Sequence, residues 1–161
     1  MFKINFKPEN YQKIDNTLSR SAQITKSNIR WLRDKGVTDI INFRTMTVPD
    51  MTFDEKAYVE SKGIKYHSIP SVSMYPKKEN VGKFLDIIEG VKNKNGKLHI
   101  HCKQGADRTG MYSYIYERLN NIGTPSENKE EMIKHLWDRK KYPNMIEWAE
   151  LFIDIFKKKR L

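Results

Sequence analysis

At 161 residues, with 38% hydrophobic and 31% charged residues, the chain has the size and composition of one soluble globular domain and leaves no room for a second. Lys and Arg outnumber Asp and Glu by 30 to 20, and the net charge of +10 favours anionic substrates. The single cysteine excludes an intramolecular disulfide, and the absence of Cys-x-x-Cys or Cys/His zinc spacing argues against a metal site.

The basic residues are spread along the chain with no RNA- or DNA-binding motif, so nucleic acid is not the expected partner. No stretch approaches the roughly 18 consecutive apolar residues of a transmembrane helix. The N-terminus MFKINFKPEN has no apolar core of the secretory type, and a lone thiol suits a reducing compartment, which points to the cytoplasm. Oligomeric state leaves no signal in the sequence.

In chain order, residues 24–36 predict a helix, capped by Thr25 or Ser27, with Ile29, Trp31 and Leu32 as apolar positions and Gly36 in the turn after it. Residues 37–43 predict a buried strand, Phe53 to Lys62 a helix ended by Gly63, and residues 64–70 a strand ended by Pro70. Val81, Phe84, Leu85, Ile88 and Val91 share one face of a helix over about 78–93. The run LHIHC at 98–102 predicts a strand, followed by a helix from Thr109 or Gly110 to about Asn121. Helices after Pro125 and from Asn144 to Lys158 complete the chain, with KKKRL as a frayed, solvated tail. This alternation predicts an α/β fold: a central, mostly parallel sheet of about four or five strands flanked by helices, with the C-terminal helices of about 125–159 packed on it as part of one domain, 1–161.

The chemistry lies in HCKQGADRTG, residues 101–110, between a predicted strand and a predicted helix. Cys102 and Arg108 enclose five residues, Lys103, Gln104, Gly105, Ala106 and Asp107. A loop of that length can converge its backbone N–H groups on one anion, beside the positive end of the following helix. Gly105 permits a conformation closed to other residues, and Arg108 can clamp phosphate oxygens with two parallel hydrogen bonds. Phosphate binding is therefore assigned to residues 103–108. Cys102, beside a helix N-terminus and a cation, is expected to be a thiolate nucleophile that attacks phosphorus and forms a phosphocysteine. Thr109 is expected to donate its hydroxyl to the sulfur, His101 to support the loop from behind, and Gln104 to contact substrate or position the hydrolytic water. No metal or cofactor is required. Arg44 is expected to form an ion pair in the scaffold, and His67, Trp137, Trp148 and Phe152 to serve the core.

This segment resembles the signature of the protein tyrosine/dual-specificity phosphatase superfamily, and residues 19–44, SRSAQITKSNIRWLRDKGVTDIINFR, resemble the N-terminal half of its small, atypical members. The resemblance covers about residues 17–122. It implies a cysteine phosphatase fold and hydrolysis of phosphomonoesters, with phosphotyrosine, phosphoserine and phosphothreonine proteins as substrates. Lys103, which points into the pocket in relatives that favour multiply phosphorylated inositols, offers inositol polyphosphates or phosphoinositides as the alternative. The family's general-acid Asp is expected in residues 70–78, yet PSVSMYPKK contains no carboxylate. Relatives with Asp immediately before the loop arginine place that role on Asp107, with Asp50 in the loop 45–53 as a second candidate.

Other chemistries fit less well. An arsenate reductase needs further cysteines, and a rhodanese has a shorter loop. A weakly catalytic phosphate-binding module is the alternative of a different class, motivated by the missing loop acid.

Overall fold

The computed structural model describes residues 6–45 and 53–159. Among these the chain forms β1 (Gln12–Lys13), β2 (Leu18–Ser21), α1 (Lys26–Asp34), β3 (Asp39–Asn42), α2 (Glu55–Ser61), β4 (Lys65–Ser68), α3 (Lys78–Asn93), β5 (Leu98–His101), α4 (Asp107–Leu119), α5 (Pro125–Lys134) and α6 (Met145–Lys159). The local signals act as their chemistry predicts. Thr25, rather than Ser27, caps α1, accepting from Asn28 N at 3.1 Å while Thr25 N donates to Asn28 Oδ1 at 2.9 Å. Thr124 and Glu127 close the same kind of box at the start of α5, with Pro125 in its first turn.

The strands form one sheet in the order β1-β2-β5-β3-β4, with β1 antiparallel to β2 and the other neighbours parallel. Strand alternation divides the core. Ile41, Leu98 and Ile100 join Phe43, Phe84, Tyr112 and Ile115 on one face. Ile40 joins Ile29, Leu32, Val59 and Ile64 on the other. Helices α5 and α6 add Met132, Met145, Ala149 and Ile153 to the first cluster. No helix among the described residues is long and apolar enough to cross a membrane.

Four elements depart from expectation. Strands β1 and β2 were not predicted, because Leu18-Ser19-Arg20-Ser21 has one apolar residue in four. All four are nonetheless buried: the hydroxyls of Ser19 and Ser21 each lie 2.7 Å from a ring nitrogen of His99, and Arg20 reaches the loop after β5. Helix α4 starts at Asp107 instead of Thr109 or Gly110, so Asp107 and Arg108 stand on its first turn. Lys157, Lys158 and Lys159 are not a frayed tail: they form the last turn of α6, where cations suit the helix dipole.

Candidate active site

The parallel strands bring their carboxyl ends to one edge of the sheet, the usual location of ligands in α/β folds. There His101 ends β5, Cys102 follows, and the chain turns into α4. Three consecutive carbonyls of this loop are held by donors from outside it. Gln23 N donates to Lys103 O at 3.0 Å. Asn10 Nδ2 donates to Gln104 O at 3.2 Å, and Arg20 Nη2 donates to Gly105 O at 2.5 Å. In a planar trans peptide the N–H points opposite to the carbonyl. Holding these three oxygens outward therefore turns the N–H groups of Gln104, Gly105 and Ala106 inward. Gly105 N donates to Cys102 Sγ at 3.2 Å.

Gly105 itself has no substitute. Its φ is +71°, and a Cβ there would stand 2.6 Å from Ala22 N and from Ser21 C, both backbone atoms that cannot swing aside.

Cys102 is only 2% exposed, but it lies at the base of an open cavity of about 580 Å³. Lys103, Gln104, Ala106, Asp107 and Arg108 line it from the loop and α4, and Ser71, Val72 and Ser73 from the segment after β4. Leu136, Asp138, Lys141 and Tyr142, between α5 and α6, form the far wall. Arg108 Nη1 donates to Ser71 O at 3.4 Å, and Ser71 Oγ lies 2.7 Å from Tyr112 OH, which fixes the wall that the guanidinium leans on.

Behind the loop, His101 Nδ1 lies 3.2 Å from Cys102 O and Nε2 lies 2.8 Å from Glu55 Oε2. The ring is thus held between the Cys102 carbonyl and the Glu55 carboxyl. Burial pushes the Glu55 carboxyl up, but His101, with Tyr66 and Gln23, more than offsets this and leaves it below the ordinary carboxylate range. Gln23 Nε2 donates to Glu55 Oε1, and Arg44 Nη1 donates to Gln23 Oε1 at 2.8 Å. The described partner of Arg44 is thus an amide that relays to Glu55, not the ion pair expected.

Asp107 lies in the cavity wall with Oδ1 accepting from Asp138 N at 2.8 Å. Burial is the main reason its carboxyl sits above the ordinary range. The Asp138 charge adds to this, against the Asp138 N–H, Lys141 and Arg108. Asp138 is the other carboxylate in the wall among the described residues, and its Oδ1 accepts from Lys141 N at 3.0 Å. Asp50 lies outside the described residues.

The expected bond from Thr109 to the sulfur is not formed. Thr109 Oγ1 is buried without a hydrogen-bond partner, and the sulfur's donor is Gly105 N. His67 pairs with Asp39 at 2.9 Å, away from the cavity lining. Trp137 is buried in the core, while Trp148 and Phe152 are partly buried beside it and stacked on each other. Among the described residues no group of His, Cys, Asp or Glu is gathered as metal ligands would be.

Sequence reasoning missed Arg20, Asn10, Glu55, Ser71 and Asp138. Each reaches the loop or cavity by tertiary packing; Arg20, Asn10 and Ser71 stood in quoted segments without a role assigned to them.

A cysteine and an arginine bracketing one loop between a parallel strand and a helix fit the cysteine phosphatases of the dual-specificity superfamily, and the family comparison agrees. The family described as a DSP-PTPase phosphatase fused to NAD+ kinase matches residues 4–141, and the chain belongs to it. No curated protein sequence matches significantly. Solved structures share the fold at low identity. The core catalytic domain of the PP-IP phosphatase SIW14 from S. cerevisiae, in complex with citrate, is 17% identical with a TM-score of 0.75, covering 96% of this chain and 94% of that one. A Cys-to-Ser variant of P. aeruginosa TpbA in complex with pTyr is 19% identical with a TM-score of 0.70, covering 87% and 82%. PTPMT1 is 20% identical with a TM-score of 0.77, covering 93% and 98%.

Proposed function

We propose that the chain hydrolyses phosphomonoesters through a phosphocysteine on Cys102. The observation that carries this reading is the loop itself: Lys103, Gln104 and Gly105 have their carbonyls tied outward, above a sulfur at the cavity base. Cys102 Sγ attacks phosphorus and the bond to the leaving oxygen breaks, while Asp107 gives that oxygen its proton. Water then attacks phosphorus, the S–P bond breaks to restore the thiolate, and Asp107 recovers a proton from the water. The loop N–H groups and Arg108 stabilise the equatorial oxygens throughout. Gln104, lining the mouth, positions the water.

The geometry best fits a substrate with more than one phosphate, the class that the sequence placed second. Lys103 and Lys141 both line the cavity beside Arg108, and a space of about 580 Å³ exceeds the needs of a single phosphate. The same chemistry serves inositol polyphosphates and phosphoinositides, and the named class of SIW14 supports it. Val72, Leu136 and Tyr142 give the cavity an apolar wall suited to an aryl ring, which favours phosphotyrosine as the second reading, with the TpbA complex in support. The lone thiol suits a reducing compartment, which supports a cytoplasmic setting for this activity.

The test is hydrolysis of an aryl phosphate by the purified chain and by Cys102→Ser, with acid-quenched protein examined by mass spectrometry for a phosphoryl adduct on Cys102. Activity and adduct in the native chain, both lost in the variant, are expected. Inactivity in both leaves the phosphate-binding module as the reading. A panel of inositol polyphosphates, phosphoinositides and phosphopeptides then ranks the substrate classes.

A further inference from the structure

Helix α6 carries more apolar surface than its packing uses. One face, Met145, Ala149 and Ile153, is buried in the core. A second stripe at helical spacing, Trp148, Leu151, Phe152, Ile155 and Phe156, lines an open groove of about 390 Å³ together with Pro76. Trp148, Phe152 and Phe156 stack in succession along it, and Leu151 remains 61% exposed.

This groove is continuous with the active site. A smaller cavity between them shares Pro76 and Trp148 with the groove, and Ser73, Lys141 and Tyr142 with the Cys102 cavity. Most of the exposed large apolar side chains among the described residues lie on or next to this route, Phe6 and Ile133 excepted. Val72 and Leu136 line the Cys102 cavity, Met74 lines the smaller one, Tyr75 sits in the chain between Met74 and Pro76, and Leu151 and Ile155 lie along the groove, with Tyr75 70% and Leu136 66% exposed. Exposed apolar residues scattered singly need no explanation, but a contiguous run beside a site does.

The charges around the run identify what covers it. Lys77, Lys78 and Lys159 line the groove with Glu79 as its one acidic residue, and Lys141 lines the two cavities nearer Cys102. Aliphatic and aromatic tips in the middle, with long cationic side chains at the edge, are what an anionic bilayer surface selects: rings and aliphatic tips enter the headgroup boundary, and lysines meet the lipid phosphates.

We propose that this face docks peripherally on anionic membrane surfaces, so that the Cys102 cavity opens onto phosphomonoester headgroups. The inference rests on the phosphatase reading for its substrate and narrows that reading to the lipid-borne source. The docking itself stands on the patch alone.

Co-sedimentation of the full chain with vesicles of phosphatidylcholine, with and without phosphatidylglycerol, tests it. Binding to the anionic vesicles alone, weakened by salt, is expected. Leu151→Glu with Ile155→Glu, both exposed positions outside the catalytic cavity, and separately Lys77→Glu with Lys78→Glu, are expected to lower partitioning at least about tenfold. Hydrolysis of a soluble aryl phosphate should stay unchanged in both, which also reports that the variants fold. With a phosphoinositide substrate, turnover in anionic vesicles should fall in the variants while turnover of the soluble inositol phosphate does not. No association at low salt, equal partitioning by the variants, or a native dimer in sedimentation velocity that the α6 variant dissolves overturns the proposal. Vesicle binding without any Cys102-dependent hydrolysis would instead sink the phosphatase reading and leave the docking intact.

Discussion

Arg20 Nη2 donates to Gly105 O, linking β2 to the turn of the anion loop. Arg20 is fully buried, and its Nε and Nη1 have no hydrogen-bond partners. Burial lowers its guanidinium to about 10, while Cys102, Glu117 and Glu131 act in the opposite sense. The Arg20 side chain in turn fixes the carbonyl whose orientation aims the next N–H inward.

Replacing Arg20 by Lys keeps a charge but loses the planar fork that reaches Gly105. We expect kcat on an aryl phosphate to fall on the order of 10- to 100-fold, with KM changing less, because a loosened loop misplaces groups that act in the transition state. Arg20→Met, which leaves the nearby carboxylates without their cation, should also cost stability, about 3 kcal/mol by urea titration. An unchanged kcat in Arg20→Lys would show that Gly105 is held without it.

Asp107 yields a prediction with a definite sign. Its carboxyl is raised, chiefly by burial, so the protonated acid persists to higher pH than for an ordinary Asp. Activity on poor leaving groups should decline on the alkaline side as this proton is lost, with an apparent pKa above the usual carboxylate range. Asp107→Asn should remove that limb and cost about 100-fold on an alkyl phosphate but far less on an aryl phosphate with a good leaving group. If the pH profiles of variant and native chain coincide, the acid lies elsewhere, and Asp138 is the next carboxylate to replace.

The difference between what sequence did and did not reveal follows from contact range. Cys102 to Arg108 is legible because the residues of that loop are contiguous in the chain. Arg20, Asn10 and Glu55 are 85, 94 and 46 residues from their partners Gly105, Gln104 and His101, and only tertiary packing brings them there. Strand β2 hid itself for the same reason: its buried Ser and Arg side chains are satisfied by partners on other elements, so its pattern is polar. Helix α6 was legible as a helix, but that its Trp148 and Phe152 side lines an open groove depends on what packs opposite.

Glu55 and His101 form a buried pair whose disruption should be read in both stability and chemistry. The folded-state carboxyl of Glu55 lies below its ordinary range, with His101 opposing the rise that burial alone would cause. Its contribution to stability is then present above the unfolded pKa and lost as pH falls through the lower folded value. Glu55→Gln should destabilise the chain by about 3 kcal/mol at neutral pH, with the gap to the native chain closing in acid. It should also slow alkylation of Cys102 by iodoacetamide at neutral pH, since the imidazole beside the Cys102 carbonyl loses its anchor. Equal alkylation rates would confine Glu55 to the scaffold.

Glu117 acts in the opposite direction. It is buried on α4, where Asn128 Nδ2 donates to its Oε2 at 2.8 Å and Glu131 stands beside it. Burial first, and then the Glu131 carboxyl, push it far above the ordinary range, with Arg20 and Asn128 pulling the other way. The buried Glu117 carboxyl holds a proton that the unfolded chain releases near its ordinary pKa, about 4.3. Above that value the folded state binds the extra proton, so stability falls as pH rises, by up to about 1.4 kcal/mol per unit, until the folded carboxyl itself ionises. Glu117→Gln keeps an oxygen for Asn128 and supplies an N–H to Glu131, while removing the titrating group. Urea midpoints measured from about pH 5 to about pH 8 should therefore decline less steeply in Glu117→Gln than in the native chain, with the variant relatively more stable at the alkaline end. Parallel curves would mean that the folded Glu117 has already lost its proton at neutral pH, with Arg20 compensating the charge.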